Sequence, residues 1–325
     1  MLGRNTFGMN VKADCLAEYS TVEELRTLIA VAKKPLLAIG GGSNLLFLHD
    51  YAGTILHSCI NTIRELGREE SCVLVEVGSG IVWDDFVGWC TMNGLWGVEN
   101  LTAIPGEVGA SAIQNVGAYG VESGDCIESV RTLSVLDGKE RVFRREECNY
   151  GYRQSVFKNE LRGKYVVTHV IFRLSTIEKP VLGYGTLKDE VEKLGGPTLK
   201  NIRMAVRAIR DSKLPDPQVL GNAGSFFMNP VVEESVYEGL VQTYPGIPSY
   251  KSEGGKVKIP AGWLIEQCGW KGRSLGNAAV YEKQALVIVN KGGATGDEIK
   301  NLAYAVIRDV REKFGIELKV EVNYI

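Results

Sequence analysis

A strand that runs straight into Gly40-Gly41-Gly42-Ser43-Asn44 constrains this chain more than any other feature of its sequence. Leu36 to Ile39 read as a short buried strand. They follow Pro35, which ends a helix opened by Ser20-Thr21-Val22-Glu23 as a capping box and continued by Leu25, Leu28, Ile29 and Ala32 at helical spacing. The order is therefore helix, strand, glycine-rich turn. Consecutive glycines let backbone N–H groups converge on an anion with no side chain in the way, and a diphosphate is the natural guest. The turn lacks the G-x-x-x-x-G-K-[ST] spacing of an ATP-type phosphate loop and the G-x-G-x-x-G of an ordinary Rossmann site, which argues against both. A tight strand-to-loop turn with no ligand is the plainer alternative.

A second glycine-dense stretch covers residues 104–120, Ile-Pro-Gly-Glu-Val-Gly-Ala-Ser-Ala-Ile-Gln-Asn-Val-Gly-Ala-Tyr-Gly, with four glycines in seventeen residues. Small residues permit close backbone approach, and Ser111, Gln114 and Asn115 offer donors and acceptors that a planar heterocycle could use. Such a stretch is long and odd as a bare loop. Three further places hold polar groups in suggestive surroundings. Arg153 lies in Tyr150-Gly151-Tyr152-Arg153-Gln154, where a solvated surface arginine is the ordinary alternative. Ser225 sits between a glycine-rich turn and two aromatics in Gly221-Asn222-Ala223-Gly224-Ser225-Phe226-Phe227; this is not G-x-S-x-G, so no hydrolase elbow is indicated. Glu321 lies near the end of the chain beside Lys319 and Asn323, where an exposed strand residue is the bland reading.

At 325 residues the chain is too long for one ordinary core, so two or three lobes are expected. Residues 54–175 alternate β-branched segments, such as 73–77 and 164–174, with Gly- and Asn-rich loops, an α+β pattern. Residues 198–213 read as a helix with Ile202, Ala205, Val206 and Ile209 on one face, stopped by Leu214-Pro215-Asp216-Pro217, the best domain boundary. A last helix opens on a capping box at Thr295-Gly296-Asp297-Glu298 and closes at Gly315, and residues 316–325 alternate as a half-buried strand. Net charge is −2 with no long basic run, so nothing points to nucleic acid or a membrane as partner. No stretch reaches the ~20 apolar residues of a membrane span or resembles a signal peptide, and a cytoplasmic location is expected. Seven cysteines without a C-x-x-C pair, and only three histidines, give poor material for a metal site or a disulfide framework, and no metal is expected.

These pieces occur together in one family. GGGSN, IPGEVGASAIQNVGAYG, YGYRQSVFK, SKLPDP, GNAGSFFMNP, AGWLIEQCGWKG and KVEVNYI follow in the order found in UDP-N-acetylenolpyruvoylglucosamine reductases, the MurB family, and the resemblance covers essentially the whole chain. It implies an α+β, three-lobed flavoenzyme. A two-lobed FAD-binding unit of the vanillyl-alcohol-oxidase/p-cresol-methylhydroxylase type would be followed by a C-terminal substrate domain. The matching division is 1–58 and 59–212 for the FAD lobes, 213–316 for the substrate domain, and 317–325 for a strand returning to the active site. The implied reaction is reduction of UDP-N-acetylglucosamine enolpyruvate to UDP-N-acetylmuramate, a peptidoglycan precursor, by NADPH through bound FAD, in a monomer.

The resemblance also assigns residues. Arg153 would stabilise negative charge developing on the enolpyruvyl carboxylate. Glu321 would act with it, its pKa raised by the site, and Ser225 would donate a proton to the other carbon. Gly40, Gly41, Gly42, Ser43, Asn44, Ile104, Pro105, Gly106, Ser111, Gln114, Asn115, Gly117, Ala118 and Tyr119 would contact FAD. Lys213 and Lys271 would meet the diphosphate or carboxylate. Asn229 and Gln284 would hydrogen-bond the sugar nucleotide. Tyr184 would close over the diphosphate from a mobile loop, the mark of the family's longer class. Met228 and Asn323 depart from the family pattern, where a lysine and an arginine are frequent, and each removes a positive charge. Two other readings compete: a flavin-dependent oxidase of the same broad fold, disfavoured because no histidine for covalent flavin attachment is evident, and a nucleotide-sugar binding protein without catalysis.

Overall fold

The structure, a computed structural model, describes residues 1–325, the side chain of Glu253 excepted. It is an α+β fold whose chain divides into two compact units. The larger comprises Ala13–Gly41 and Tyr51–Ser212; the smaller comprises Met1–Lys12, Gly42–Asp50 and Lys213–Ile325. The sequence suggested consecutive segments, with residues 1–58 as one lobe. In the structure that stretch is shared between the units, and the glycine turn itself is divided between Gly41 and Gly42. A chain that crosses from unit to unit leaves no composition break at the crossing, so this arrangement is invisible to a linear reading.

The larger unit begins with a three-stranded parallel sheet in which Tyr51–Ser58 lies between Ala13–Tyr19 and Leu36–Ile39. Helix Val22–Val31 supplies the crossover that parallel neighbours need. Its N-cap is Thr21, whose hydroxyl accepts from the Glu24 N–H (3.1 Å), while the Glu24 carboxylate accepts from the Ser20 N–H (2.6 Å). The cap thus sits one residue further along than expected, and the reciprocal box is not closed, because Glu24 reaches Ser20 rather than the N–H of the N-cap Thr21. A five-stranded antiparallel sheet follows, in the order Glu140–Arg144, Ile127–Ser134, Tyr165–Ser175, Cys72–Gly78, Ile63–Arg68. Period-two alternation of Val73, Val75 and Val77 puts all three on a face that packs with Trp83, Phe86 and Phe172. Those aromatics come from helix Trp83–Met92 and the central strand, and Phe86 and Phe172 have ring centroids 4.7 Å apart. Helix Leu199–Lys213 buries Leu199, Ile202, Ala205, Val206 and Ile209 with Trp96, Leu187 and Val191. Each fully buried aliphatic side chain contributes about 1.5–3 kcal/mol, so the apolar stripe read from the sequence is what seats this helix.

The smaller unit is built on an antiparallel sheet in the order Gly221–Ser225, Val287–Asn290, Ala278–Val280, Ser274–Leu275. Its longest helix is Gly296–Phe314, with the expected capping box at Thr295 and Glu298 and a left-handed Gly315 at its end. The alternation expected over 316–325 holds as burial over residues 316–319 and at Val322, while Val320, Glu321, Asn323 and Tyr324 are all half-buried. As a ladder it is shorter than expected: only Asn323–Tyr324 forms a strand, parallel to Leu45–Leu46, while Val320 bridges to Phe227. The closing segment therefore joins two different partners in turn. No helix of the described residues is long and apolar enough to cross a membrane.

Candidate active site

In the larger unit the two glycine-rich stretches lie side by side. A Cβ on Gly40 would stand 3.2 Å from Glu107 Oε2, so a side chain there would have to press Glu107 aside by a few tenths of an ångström. The stretch 104–120 is not a bare loop. It contains helix Val108–Gln114, which ends on Asn115 in the left-handed region (φ 47°), and a short pairing of Gly117–Ala118 with Val121–Glu122. Asn115 is buried, and its side chain organises the loop. Its amide donates to Glu122 Oε2 (2.6 Å) and the Gly151 carbonyl (2.9 Å), and its oxygen accepts from the Gly124 N–H (2.8 Å). Ser111 is buried as well and donates to the Val108 carbonyl (2.7 Å). Both groups thus bond protein partners that fix the path of the surrounding backbone. Ile104, Pro105 and Gly106 run into Glu107, the N-cap of that helix, and the Gly106 carbonyl accepts from the Trp83 N–H (3.0 Å).

Arg153 is brought to this same stretch. It occupies a tight turn closed by reciprocal Gly151 and Gln154 backbone bonds, at φ 57°, a conformation costly for a non-glycine residue. Its guanidinium donates to the Gly117 carbonyl (2.7 Å) and stands 5.2 Å from the Tyr152 ring centroid. Ala118 follows in the strand, and Tyr119, also at positive φ, packs edge-on against Tyr184 with centroids 6.0 Å apart. Burial raises the Tyr119 pKa. Tyr184 is half-buried in the segment between strand Tyr165–Ser175 and helix Leu187–Lys193. Gln114 is partly exposed at the end of its helix.

The smaller unit gathers Ser225, Glu321 and Asn44. Ser225 ends its strand opposite Val287, and the next N–H, that of Phe226, donates to Leu286 (2.7 Å). The Phe226 carbonyl accepts from the Glu321 N–H (2.9 Å). The Glu321 carbonyl in turn accepts from the Asn44 amide (3.4 Å), and the Asn44 carbonyl accepts from the Asn323 N–H (3.0 Å). Three segments far apart in sequence are thus tied by main-chain bonds. Asn323, where the family pattern has a cation, is part of this tie. Gly42 is the residue that lets the first of these segments in: its φ is 66°, and a Cβ there would fall 2.1 Å from the Arg4 carbonyl oxygen. Ser43 follows it, half-buried.

The expected substrate residues of this unit fall in two groups. Asn229 and Gln284 both stand at the start of helix Ala261–Gln267. The Asn229 oxygen accepts from the Ala261 N–H (2.9 Å), and Gln284 Oε1 would be 3.0 Å from a Cβ on Gly262. Lys271 is exposed and paired with Glu266 (2.9 Å), a surface contact worth little, which leaves the ammonium available for exchange. Lys213 is exposed at the last position of helix Leu199–Lys213.

Sequence reasoning missed the polar frame of residues 102–106. Asp84 accepts from the Ala103 N–H (2.7 Å) and pairs with Arg203 (3.0 Å) and with Arg207, while Arg210 donates to the Ala103 carbonyl (3.3 Å). Ala103 is thereby held at φ 58°. Desolvation lowers the Arg210 pKa, with Tyr119 opposing and Arg153 adding to the shift, so two arginines and a tyrosine share one field. The signal was available: Arg203, Arg207 and Arg210 recur at helical spacing, a basic stripe beside the apolar one.

A family model described as UDP-N-acetylenolpyruvoylglucosamine reductase, C-terminal domain, matches residues 216–325, and one described as an FAD binding domain matches residues 13–144. The chain is 53% identical over 327 residues to a UDP-N-acetylenolpyruvoylglucosamine reductase of Bacteroides fragilis, covering 100% of this chain and 98% of that one. It is 48% identical to the protein of the same name from Porphyromonas gingivalis, covering 99% and 96%. The crystal structure of UDP-N-acetylenolpyruvylglucosamine reductase (MurB) from Thermus caldophilus matches with a TM-score of 0.69 at 25% identity, over 99% of this chain and 95% of that one. The chain belongs to the UDP-N-acetylenolpyruvoylglucosamine reductase family of FAD-dependent oxidoreductases.

Proposed function

We propose that this protein reduces UDP-N-acetylglucosamine enolpyruvate to UDP-N-acetylmuramate with NADPH as co-substrate, a step in peptidoglycan precursor synthesis. The observation that carries the reading is the 53% identity, over the full length of both chains, to a reductase named for that substrate. The residues present fit FAD. A Cβ would collide with backbone at Gly42 and crowd Glu107 at Gly40, and glycines at 40–42 leave backbone N–H groups open to an anion, as diphosphate binding requires. In the larger unit Gly40, Gly41, Ile104, Pro105, Gly106, Gly117, Ala118 and Tyr119 would hold the cofactor, with Ser111 and Asn115 shaping the backbone and Gln114 as a further donor. Gly42, Ser43 and Asn44 are assigned to it by the family pattern. When bound, FAD supplies hydride transfer between NADPH and the enolpyruvyl group.

The chain's own groups do the rest. Arg153 keeps a fixed positive charge for the substrate carboxylate, where charge grows as the double bond is reduced, and its guanidinium is already oriented by Gly117. Ser225 donates the proton that completes the addition, and Glu321 supports the carboxylate end. Asn229, Gln284, Lys213, Lys271 and Tyr184 bind the sugar nucleotide. The test is NADPH consumption by flavin-loaded protein with and without the enolpyruvyl sugar nucleotide. A rate that rises strongly with that substrate and yields UDP-N-acetylmuramate upholds the reading. A rate indifferent to it removes the reading.

A further inference from the structure

Glu18, His57 and Cys59 form a cluster that the reductase reading leaves unused. Strands Ala13–Tyr19 and Tyr51–Ser58 run parallel with Glu18 opposite His57, and residues in register show their side chains on one face. Cys59 lies two residues past His57, and its N–H donates to the Tyr19 carbonyl (2.7 Å), which carries the pairing just beyond the strand end. A carboxylate oxygen, a ring nitrogen and a sulfur thus surround one point. Glu18 Oε1 is 3.2 Å and Cys59 Sγ 3.9 Å from His57 Nδ1, and the three ligand atoms lie within 4.8 Å of one another. Tetrahedral zinc with bonds of about 2.0 Å to nitrogen and oxygen and about 2.3 Å to sulfur needs separations of roughly 3.3–3.6 Å. The two His57 edges straddle that range.

A second feature points the same way. His57 Nε2 is 2.9 Å from Glu107 Oε1, and both residues are buried. With Nδ1 bound to a metal, Nε2 carries the ring proton and donates to Glu107, the arrangement in which a carboxylate fixes the tautomer of a ligating histidine. One thiolate and one carboxylate neutralise a divalent ion, and the nitrogen–oxygen–sulfur set suits zinc rather than magnesium or calcium. Glu18 is exposed, so a fourth position is open to water. We propose that Glu18, His57 and Cys59 bind one zinc-class divalent cation, with Glu107 orienting the imidazole. The ion would link the parallel sheet to the turn that Glu107 anchors ahead of helix Val108–Gln114. Spacing along the chain could not show this, since the ligands meet only through strand register.

The test is equilibrium dialysis of the full flavin-loaded chain against zinc, with metal content per chain and X-ray absorption at the zinc edge. The variants are Cys59→Ser and Glu18→Gln, with Cys15→Ser as a control at an exposed cysteine of the same sheet. The expected result is one zinc per chain with one sulfur neighbour in the native protein and in Cys15→Ser. Affinity should fall at least about tenfold in Cys59→Ser and Glu18→Gln, with the sulfur neighbour lost in Cys59→Ser. Absence of stoichiometric zinc, or zinc held equally by Cys59→Ser, overturns the proposal and leaves the cluster as a hydrogen-bonded Glu18–His57–Glu107 chain.

Discussion

The two units position their candidate residues by different means. In the larger unit side chains do the holding. Asn115 spans Glu122, Gly151 and Gly124, and Asp84 gathers Ala103, Arg203 and Arg207. In the smaller unit main-chain bonds carry more of it around Ser225 and Glu321: Phe226 bonds Leu286, Glu321 bonds Phe226, and Asn323 bonds Asn44, with the Asn44 and Asn222 amides adding side-chain ties. The difference has a consequence for mutation. A side-chain frame fails when one side chain is removed, because buried partners lose their bonds and cannot regain water. A main-chain frame tolerates side-chain truncation, so such a change there reports on chemistry more cleanly than on folding.

The largest effect should come where this contrast is sharpest. Ser225→Ala removes a hydroxyl from a strand held by its backbone, so the fold and NADPH-driven flavin reduction should be unchanged. Substrate reduction should fall by about 10²–10⁴, the usual range for losing a positioned acid. Stopped-flow spectroscopy separates the two half-reactions, and a parallel loss in both would remove Ser225 from the proton-donor role. Next comes Asn115→Ala, which orphans the Gly124 N–H, takes one bond from the Gly151 carbonyl and one from Glu122, and puts alanine at positive φ. A loss of about 3 kcal/mol in urea unfolding is expected, with flavin affinity falling alongside. Near-native stability would mean that the larger unit is not side-chain framed after all.

The antiparallel sheet of the larger unit offers a test with a pH signature. Glu76 is buried and accepts from Arg131 (2.7 Å) and Arg64 (2.8 Å) across four neighbouring strands. Burial pushes its pKa up, but the hydrogen bonds from Arg131 and Arg64 outweigh it and hold the carboxyl below the ordinary glutamate range. A depressed acid contributes stability that is present above its unfolded pKa and is lost as pH falls through its folded pKa. Glu76→Gln should therefore cost about 2 kcal/mol at neutral pH, discounted for the exposure of the arginines. The gap to the native protein should close under acid conditions. A gap that stays constant with pH would mean that the ion pairs contribute nothing.

What the sequence made legible follows the same division. Local signals survived: the Thr295–Glu298 capping box, the apolar stripe of residues 198–213, and the burial alternation of 316–319 are each set by neighbours within a few residues. The glycine turn and Ser225 were visible because glycine and sharp turns leave a compositional mark. Long-range pairings were not. That Glu321 would hang from Phe226 and Asn44, that Asn115 would serve Gly151, and that Glu18 would face His57 are facts of register and topology. They are carried by no spacing along the chain. The Arg203, Arg207 and Arg210 stripe lies between these cases: its helical period was readable, but its partner Asp84 was not.

The smallest expected effect sharpens the comparison from the side of the smaller unit. Asn229, like Asn44 and Asn222, is a side chain of that unit that holds backbone, since its oxygen accepts from the Ala261 N–H at the start of helix Ala261–Gln267. Asn229→Ala should cost about 1 kcal/mol, the ordinary worth of one such bond. That is a third of what Asn115→Ala should cost, because a single bond is lost rather than three. Asn229→Asp keeps an acceptor for Ala261 and exchanges the amide donor for a carboxylate, whose charge the start of a helix accommodates. If the donor serves the sugar nucleotide, Asn229→Asp should raise KM while stability stays native, whereas Asn229→Ala should change both. Native KM in Asn229→Asp would leave the residue as a helix anchor alone, structural in the way that Asn44 and Asn222 are.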